Sequence, residues 1–142
     1  MASAAVFGQG TLIKLGDGGS PENFTTVAEV SDIQPAFKGA TIDVTNHDST
    51  GGWEEFIAGL LSGTIKITIN FIPTSTTQGY TSGILKDMYN RTKRNYKLVF
   101  PDGGSTTWAF TVIVTDYSPK APVKDRLTAD ISMQITGAPT LA

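Results

Sequence analysis

Gly63-Thr-Ile-Lys-Ile-Thr-Ile-Asn-Phe71 decides the fold class. Ile65, Ile67, Ile69 and Phe71 alternate with Thr64, Lys66, Thr68 and Asn70, a period of two that puts every apolar side chain on one face of a strand. The stretch 126–136 repeats the pattern: Leu127, Ala129, Ile131, Met133 and Ile135 alternate with Thr128, Asp130, Ser132, Gln134 and Thr136. Two further strands, 96–100 and 107–115, flank Pro101-Asp-Gly-Gly-Ser105, whose glycines are expected to supply the positive φ of a hairpin turn. Weaker strands are predicted at 11–15, 24–31 and 40–45, the last two separated by a loop at Gln34-Pro-Ala-Phe-Lys-Gly39. Fifteen glycines, seven prolines and twenty threonines suit short strands and turns better than long helices.

The period changes once. Between Gly79 and Arg94, the residues Ile84, Leu85, Met88 and Tyr89 share a helical face, and Thr81 or Ser82 is placed to cap its start. Arg91, Lys93 and Arg94 gather where the helix dipole is negative. One helix over 81–92 is predicted. The chain reads as a mainly β protein: a β-sandwich or partly closed barrel of two packed sheets, with one flanking α-helix, a long loop and terminal arms.

At 142 residues the chain has the length of one domain, 1–142, with a single core. It contains no cysteine, which excludes thiolate metal sites, redox pairs and thiol nucleophiles. Thirteen acidic against eleven basic residues give a net charge of −2, contrary to what gripping nucleic acid through phosphate requires. The N-terminal stretch lacks basic residues and is broken by glycine, so no signal peptide or membrane anchor is expected, and the reading is of a soluble, intracellularly made protein.

No catalytic constellation emerges. His47-Asp48-Ser49 holds triad residue types, but three consecutive residues do not present their side chains to one another as a triad does. Glu54 and Glu55 read as a solvated face rather than as paired carboxylates. Arg91, Lys93, Arg94 and Lys97 read as dipole complement and solvated surface, with phosphate contact as the alternative. No catalytic, cofactor or metal residue is assigned.

Gly51-Gly-Trp-Glu-Glu-Phe-Ile-Ala-Gly-Leu-Leu-Ser-Gly63 is different. Trp53, Phe56, Ile57, Leu60 and Leu61 follow the i, i+3, i+4, i+7, i+8 spacing of an amphipathic helix. The gain from burying five such side chains and the entropy lost in ordering the segment nearly offset each other. It therefore orders firmly only against a good apolar surface, either the domain's own core, as a lid, or another subunit. The outward strand faces, rich in threonine and poor in charge, lack the edge protection of a freely solvated sheet and fit strands that pair between subunits.

The sequence resembles the major tail tube proteins of long, non-contractile phage tails, which are related to secretion-system tube proteins. The likeness runs through Asp43-Val-Thr45, Asn46-His-Asp-Ser49, Gly52-Trp-Glu-Glu-Phe-Ile57 and Leu60 to Phe71. It continues with Pro101-Asp-Gly103, Trp108-Ala-Phe110, Pro119 to Pro122 and Ile135-Thr-Gly-Ala-Pro139, and so covers most of the chain after residue 40. It implies a virion structural protein, without catalytic activity or cofactor, that forms hexameric rings stacked into a hollow tube. Its implied partners are further copies of itself, a tape-measure protein, a tail terminator and tail-tip proteins, with assembly in the host cytoplasm and no membrane involved.

DNA would pass through such a tube without specific binding. The long loop of the family corresponds to 45–63 here and is expected to reach a neighbouring copy through Trp53, Phe56, Ile57, Leu60 and Leu61. Thr64, Thr68, Thr128, Asp130, Ser132 and Gln134 are the candidates for the channel wall, and 1–10 and 137–142 are candidate arms. A secretion-system tube subunit, or a non-polymerising β-sandwich module at a tail tip, are the alternatives.

Overall fold

A computed structural model describes residues 8–17, 21–80 and 82–141. Among these residues eight strands carry the fold: β1 (Leu12–Gly16), β2 (Phe24–Thr26), β3 (Val30–Asp43), β4 (Phe56–Asn70), β5 (Arg94–Val99), β6 (Thr107–Lys120), β7 (Thr128–Ile135) and β8 (Thr140–Leu141). One helix, α1 (Ile84–Asn90), lies between β4 and β5. Every strand pairing is antiparallel, and the order across the sheet is β2-β1-β5-β6-β7-β4-β3, with β8 added on β6.

The expected two sheets are halves of one open sheet, joined through β6. Its first half, up to Val112, pairs with β5, and from Val112 onward it pairs with β7. Both halves contribute to one core: Ile13, Leu15, Tyr96, Leu98 and Phe110 from one side, Ile65, Ile67, Ile69, Ala129, Ile131 and Met133 from the other. The alternations in the sequence thus mark the core face of β4 and β7 correctly.

Several boundaries differ from the sequence reading, each for a physical reason. Residues 34–39, expected to be a loop, lie inside β3. Pro35 is tolerated there because β3 is an edge strand, where a missing N–H can face away from the ladder. β6 runs five residues past the expected end at 115, through Asp116 and Pro119. A bulge between Val114 and Asp116 resets the alternation, so Asp116 turns outward opposite Ser132 and Tyr117 turns toward the core. The Tyr117 ring meets Phe71 edge-on at 6.0 Å. In the β5–β6 turn, Ser105 rather than a glycine takes the positive φ (49°), and the Asp102 carboxylate accepts the Thr106 N–H at 2.7 Å.

The helix is shorter than the expected 81–92. Its N-cap is Gly83 with no side-chain cap, and Ser82 instead donates to the Thr76 carbonyl at 2.9 Å; Thr81 lies outside the described residues. Arg91 ends it in the left-handed conformation (φ 56°). The basic cluster does not act as one patch. Arg94 turns inward, donating to Asp87 Oδ1 and to the Gly16 carbonyl, each at 2.6 Å, and so ties α1 to the end of β1. Lys97 lies 4.1 Å from the Phe24 ring centroid.

A buried amide that the sequence reading passed over joins the loop after β4 to the sheet. Gln78, fully buried, donates from Nε2 to the Ala28 and Asn70 carbonyls (2.7 and 3.1 Å) and accepts the Ile72 N–H at Oε1 (2.8 Å). The Gln78 carbonyl in turn accepts from Tyr117 Oη at 2.9 Å. Burial pushes the Tyr117 hydroxyl up to about 12.

Of the expected arms, residues 1–7 lie outside the described residues. At the other end, Thr140 and Leu141 pair with Ala109 and Trp108 of the same chain rather than hanging free.

Candidate assembly surfaces

The segment expected to be an amphipathic helix is a strand, and the long loop is correspondingly shorter. β4 begins at Phe56 and pairs with β3 along its whole length, whereas its pairing with β7 begins only at Thr64. Residues 56–63, with their β3 partners, therefore form a two-stranded ribbon projecting past the rest of the sheet. The only helical geometry nearby is a 3-10 turn at Thr50–Gly52, where Gly51 and Gly52 take φ of 69° and 75° and end any helix before it starts.

The spacing misled because two doublets, Phe56-Ile57 and Leu60-Leu61, mimic helical periodicity. On a strand each doublet puts side chains on opposite faces. A bulge between Gly39 and Thr41, where β4 carries one extra residue, shifts the alternation between the doublets.

The ribbon has no core to cover. Trp53 is 78% exposed, Phe56 51%, Ile57 52%, Leu60 88% and Leu61 84%. Ile42, paired with Ile57, and Phe37, paired with Gly63, extend the apolar surface onto β3. Phe37 marks the base of the ribbon: its ring lies 5.9 Å from Trp108 and 6.3 Å from Phe110. Gly63 makes this packing possible, since a Cβ there would come within 2.9 Å of Ile135 Cδ1 and 3.0 Å of Phe37 Cδ1.

The tip connecting the two strands, residues 44–55, is held by its own polar groups. Val44 N–H donates to the Glu55 carbonyl (2.9 Å), Glu55 N–H to Thr45 Oγ1 (2.8 Å), Ser49 Oγ to the Glu55 carboxylate (3.0 Å) and Asp48 N–H to Asn46 Oδ1 (2.8 Å). The Thr45 hydroxyl and N–H hold the Asp43 carboxyl below its ordinary range. Ser49 through its hydroxyl and Asp48 through its N–H serve this turn, and no hydrogen bond links the side chains of His47, Asp48 and Ser49 as a triad would require. Among the described residues no group of three potential metal ligands comes together, and no helix is long and apolar enough to cross a membrane.

The second surface is the face of β4 and β7 opposite the core. Register brings together all six residues named for it: Thr64 opposite Gln134, Thr68 opposite Asp130, and Thr128 and Ser132 opposite Asn70 and Lys66. Thr68 Oγ1 donates to Asp130 Oδ1 (3.1 Å), and Gln134 Nε2 donates to the Gly63 carbonyl (2.8 Å). Lys120 Nζ lies 3.0 Å from Asp130 Oδ2. This hydrogen-bonded lysine first, and Thr68 second, hold the Asp130 carboxyl below its usual range.

The sequence reading overlooked the charges that share the face. Asp32 stands opposite Thr68, and Asp116 opposite Ser132. Asp32, Asp116 and Asp130 against Lys66, Lys120 and, farther along β3 on the same side, Lys38 leave the face close to neutral. Lys66 was legible from the alternation itself, whereas Asp116 was not, because only the β6 bulge turns it outward.

The sequence profile of the family described as phage tail tube protein matches residues 5–141. No curated protein sequence matches the chain. Among solved structures, the tail of an empty gene transfer agent particle with C6 symmetry matches over 97% of this chain and 99% of its own, at 23% identity and TM-score 0.79. The tail tube of SPP1 matches over 97% of this chain and 80% of its own, at 10% identity and TM-score 0.74. The baseplate of the anti-feeding prophage contains a chain matched over 100% of this one and 97% of its own, at 10% identity and TM-score 0.65. These likenesses show a shared fold. An open antiparallel sheet with one helix, matched from residue 5 to 141 by a single family profile, leaves one assignment: the chain belongs to the phage tail tube protein family.

Proposed function

We propose that this tail tube protein is a non-catalytic structural subunit that closes into hexameric rings and stacks them into a hollow tube for DNA. The observation that carries the reading is the ribbon formed by β3 and the first half of β4, which exposes a run of large apolar side chains on a single copy. A two-stranded ribbon alone is marginal in water, and apolar surface of this extent marks an interaction site. The C6 symmetry of the gene transfer agent tail supports six copies per ring. The same arrangement favours a polymer over a non-polymerising binding module, because a ribbon that donates to one neighbour can accept from another in an unending series.

The near-neutral outward face of β4 and β7 is the proposed channel wall, with Thr64, Thr68, Thr128, Asp130, Ser132 and Gln134 lining it. Hydroxyl and amide groups there release no counterions on meeting phosphate, so DNA gains little by stopping. Tape-measure, terminator and tail-tip proteins are the partners proposed for the two ends and the interior, with assembly in the host cytoplasm before incorporation into the virion. Electron microscopy of the concentrated purified protein tests the reading: rings or tubes with six-fold views are expected, and a persistent monomer under all conditions would refute self-assembly. In a gel-shift experiment at moderate salt no duplex binding is expected; tight, salt-dependent binding would contradict the proposed wall.

A further inference from the structure

The two charged features left over on the surface have opposite signs and complementary aromatic content. The ribbon tip, residues 44–55, together with Asp43 at the end of β3, carries Asp43, Asp48, Glu54 and Glu55 with no Lys or Arg, and it exposes Trp53. Lys86 on α1, and Arg91 and Lys93 in the turn that ends it, are all exposed. The one carboxylate of α1, Asp87, is buried and bound to Arg94, so it offsets none of that charge at the surface. Beside these cations Tyr80 and Tyr89, 57% and 70% exposed, stand edge to face at 5.2 Å between ring centroids. The side chains of Lys86, Arg91 and Lys93, and those of Asp48 and Glu54, have no ion pair or hydrogen bond among the described residues.

Resting on the self-assembly reading above, we infer that the ribbon tip of one copy docks on the α1 surface of another, Trp53 against the Tyr80–Tyr89 pair and the tip carboxylates against Lys86, Arg91 and Lys93. The occupant is a second copy of this chain because the chain itself holds both halves of the match. The tip is rigid enough to present its charges, given its internal hydrogen bonds. α1 lies on the core side of the sheet, with Ile84 in the core and its contacts on β6, away from the face proposed for the channel. A tip docked there leaves that channel face free. The aromatic contact supplies affinity, and the charges supply register and exclude the wrong orientation, since exposed ion pairs are individually weak.

Charge exchange tests this. Lys86→Glu with Lys93→Glu, and separately Asp48→Lys with Glu54→Lys, are each expected to lower the yield of sedimentable tubes at least tenfold at unchanged monomer melting temperature. All four substitutions in one chain should recover the yield to well above that of either pair, since the exchanged positions again meet opposite charge while Arg91, Asp43 and Glu55 keep their original signs. A four-fold variant no better than the pairs, or pairs that assemble normally, would overturn the inference while leaving the tube intact. A parent protein that forms no tubes at all would instead refute the assembly reading. Because the chain lacks cysteine, Thr50→Cys with Asn90→Cys adds a second measurement: a short bismaleimide should give a ladder of linked subunits from sedimented tubes, and tubes that remain monomeric on a denaturing gel would count against the contact.

Discussion

Leu60→Ala separates what the ribbon does for one copy from what it does between copies. Leu60 is 88% exposed, leaving 12% of its surface in contact with its own chain. Full burial of a leucine contributes about 1.5–3 kcal/mol, so that remainder holds only about 0.2–0.4 kcal/mol of monomer stability. For a domain of this length such a loss lowers the melting temperature by about 1 °C. The other 88% is available to a neighbour and corresponds to about 1.3–2.6 kcal/mol, or about a ten- to eightyfold rise in the concentration needed for assembly. The assay pairs thermal unfolding of dilute monomer with sedimentation across a concentration series. Ile67→Ala serves as the contrast: Ile67 is 2% exposed in the core, and its truncation should cost about 2–5 kcal/mol of monomer stability. If Leu60→Ala melted several degrees lower yet assembled at the original concentration, the ribbon would be a lid on its own domain and the argument would fail.

Gln78→Leu removes both donors and the acceptor that serve Ala28, Asn70 and Ile72, leaving three backbone groups without their partner; a loss of about 3–5 kcal/mol is expected, read by denaturant unfolding. Asp130 should titrate below an ordinary aspartate, because Lys120 and Thr68 favour its charged form. With a folded value below the unfolded one, its small contribution is present above the unfolded range and is lost as pH falls through the folded value. NMR titration should show this midpoint rising toward the ordinary value in Lys120→Ala, and no change there would mean the pair has no influence in solution.

Much of the fold was legible in particular residues. Ile65, Ile67 and Ile69, with Ala129, Ile131 and Met133, alternate cleanly because both strands lie in the middle of the sheet with one face on the core and one outward. Ile84 and Met88 likewise announced the helix, although its start differed because Gly83, not a hydroxyl side chain, occupies the cap. Strand 30–43 was hidden by Pro35, which local rules read as a break and an edge position accommodates. The buried role of Gln78 had no signature, since an amide shows its partners only when distant carbonyls are brought to it.

Composition and local period determined by themselves that the chain is mainly β, contains no thiol, and has an unusually apolar stretch between Gly51 and Gly63. Only the tertiary structure decided that this stretch is a strand. Phe56-Ile57 and Leu60-Leu61 satisfy a helical period as well as they satisfy two faces of a ribbon, and pairing with Asp43, Ile42 and Gly39 across the ladder resolves the choice. Likewise, bulges at positions 39–41 and 114–116 determine which side chains face outward. A single inserted residue reverses the alternation of everything beyond it, and whether the insertion exists depends on the partner strand.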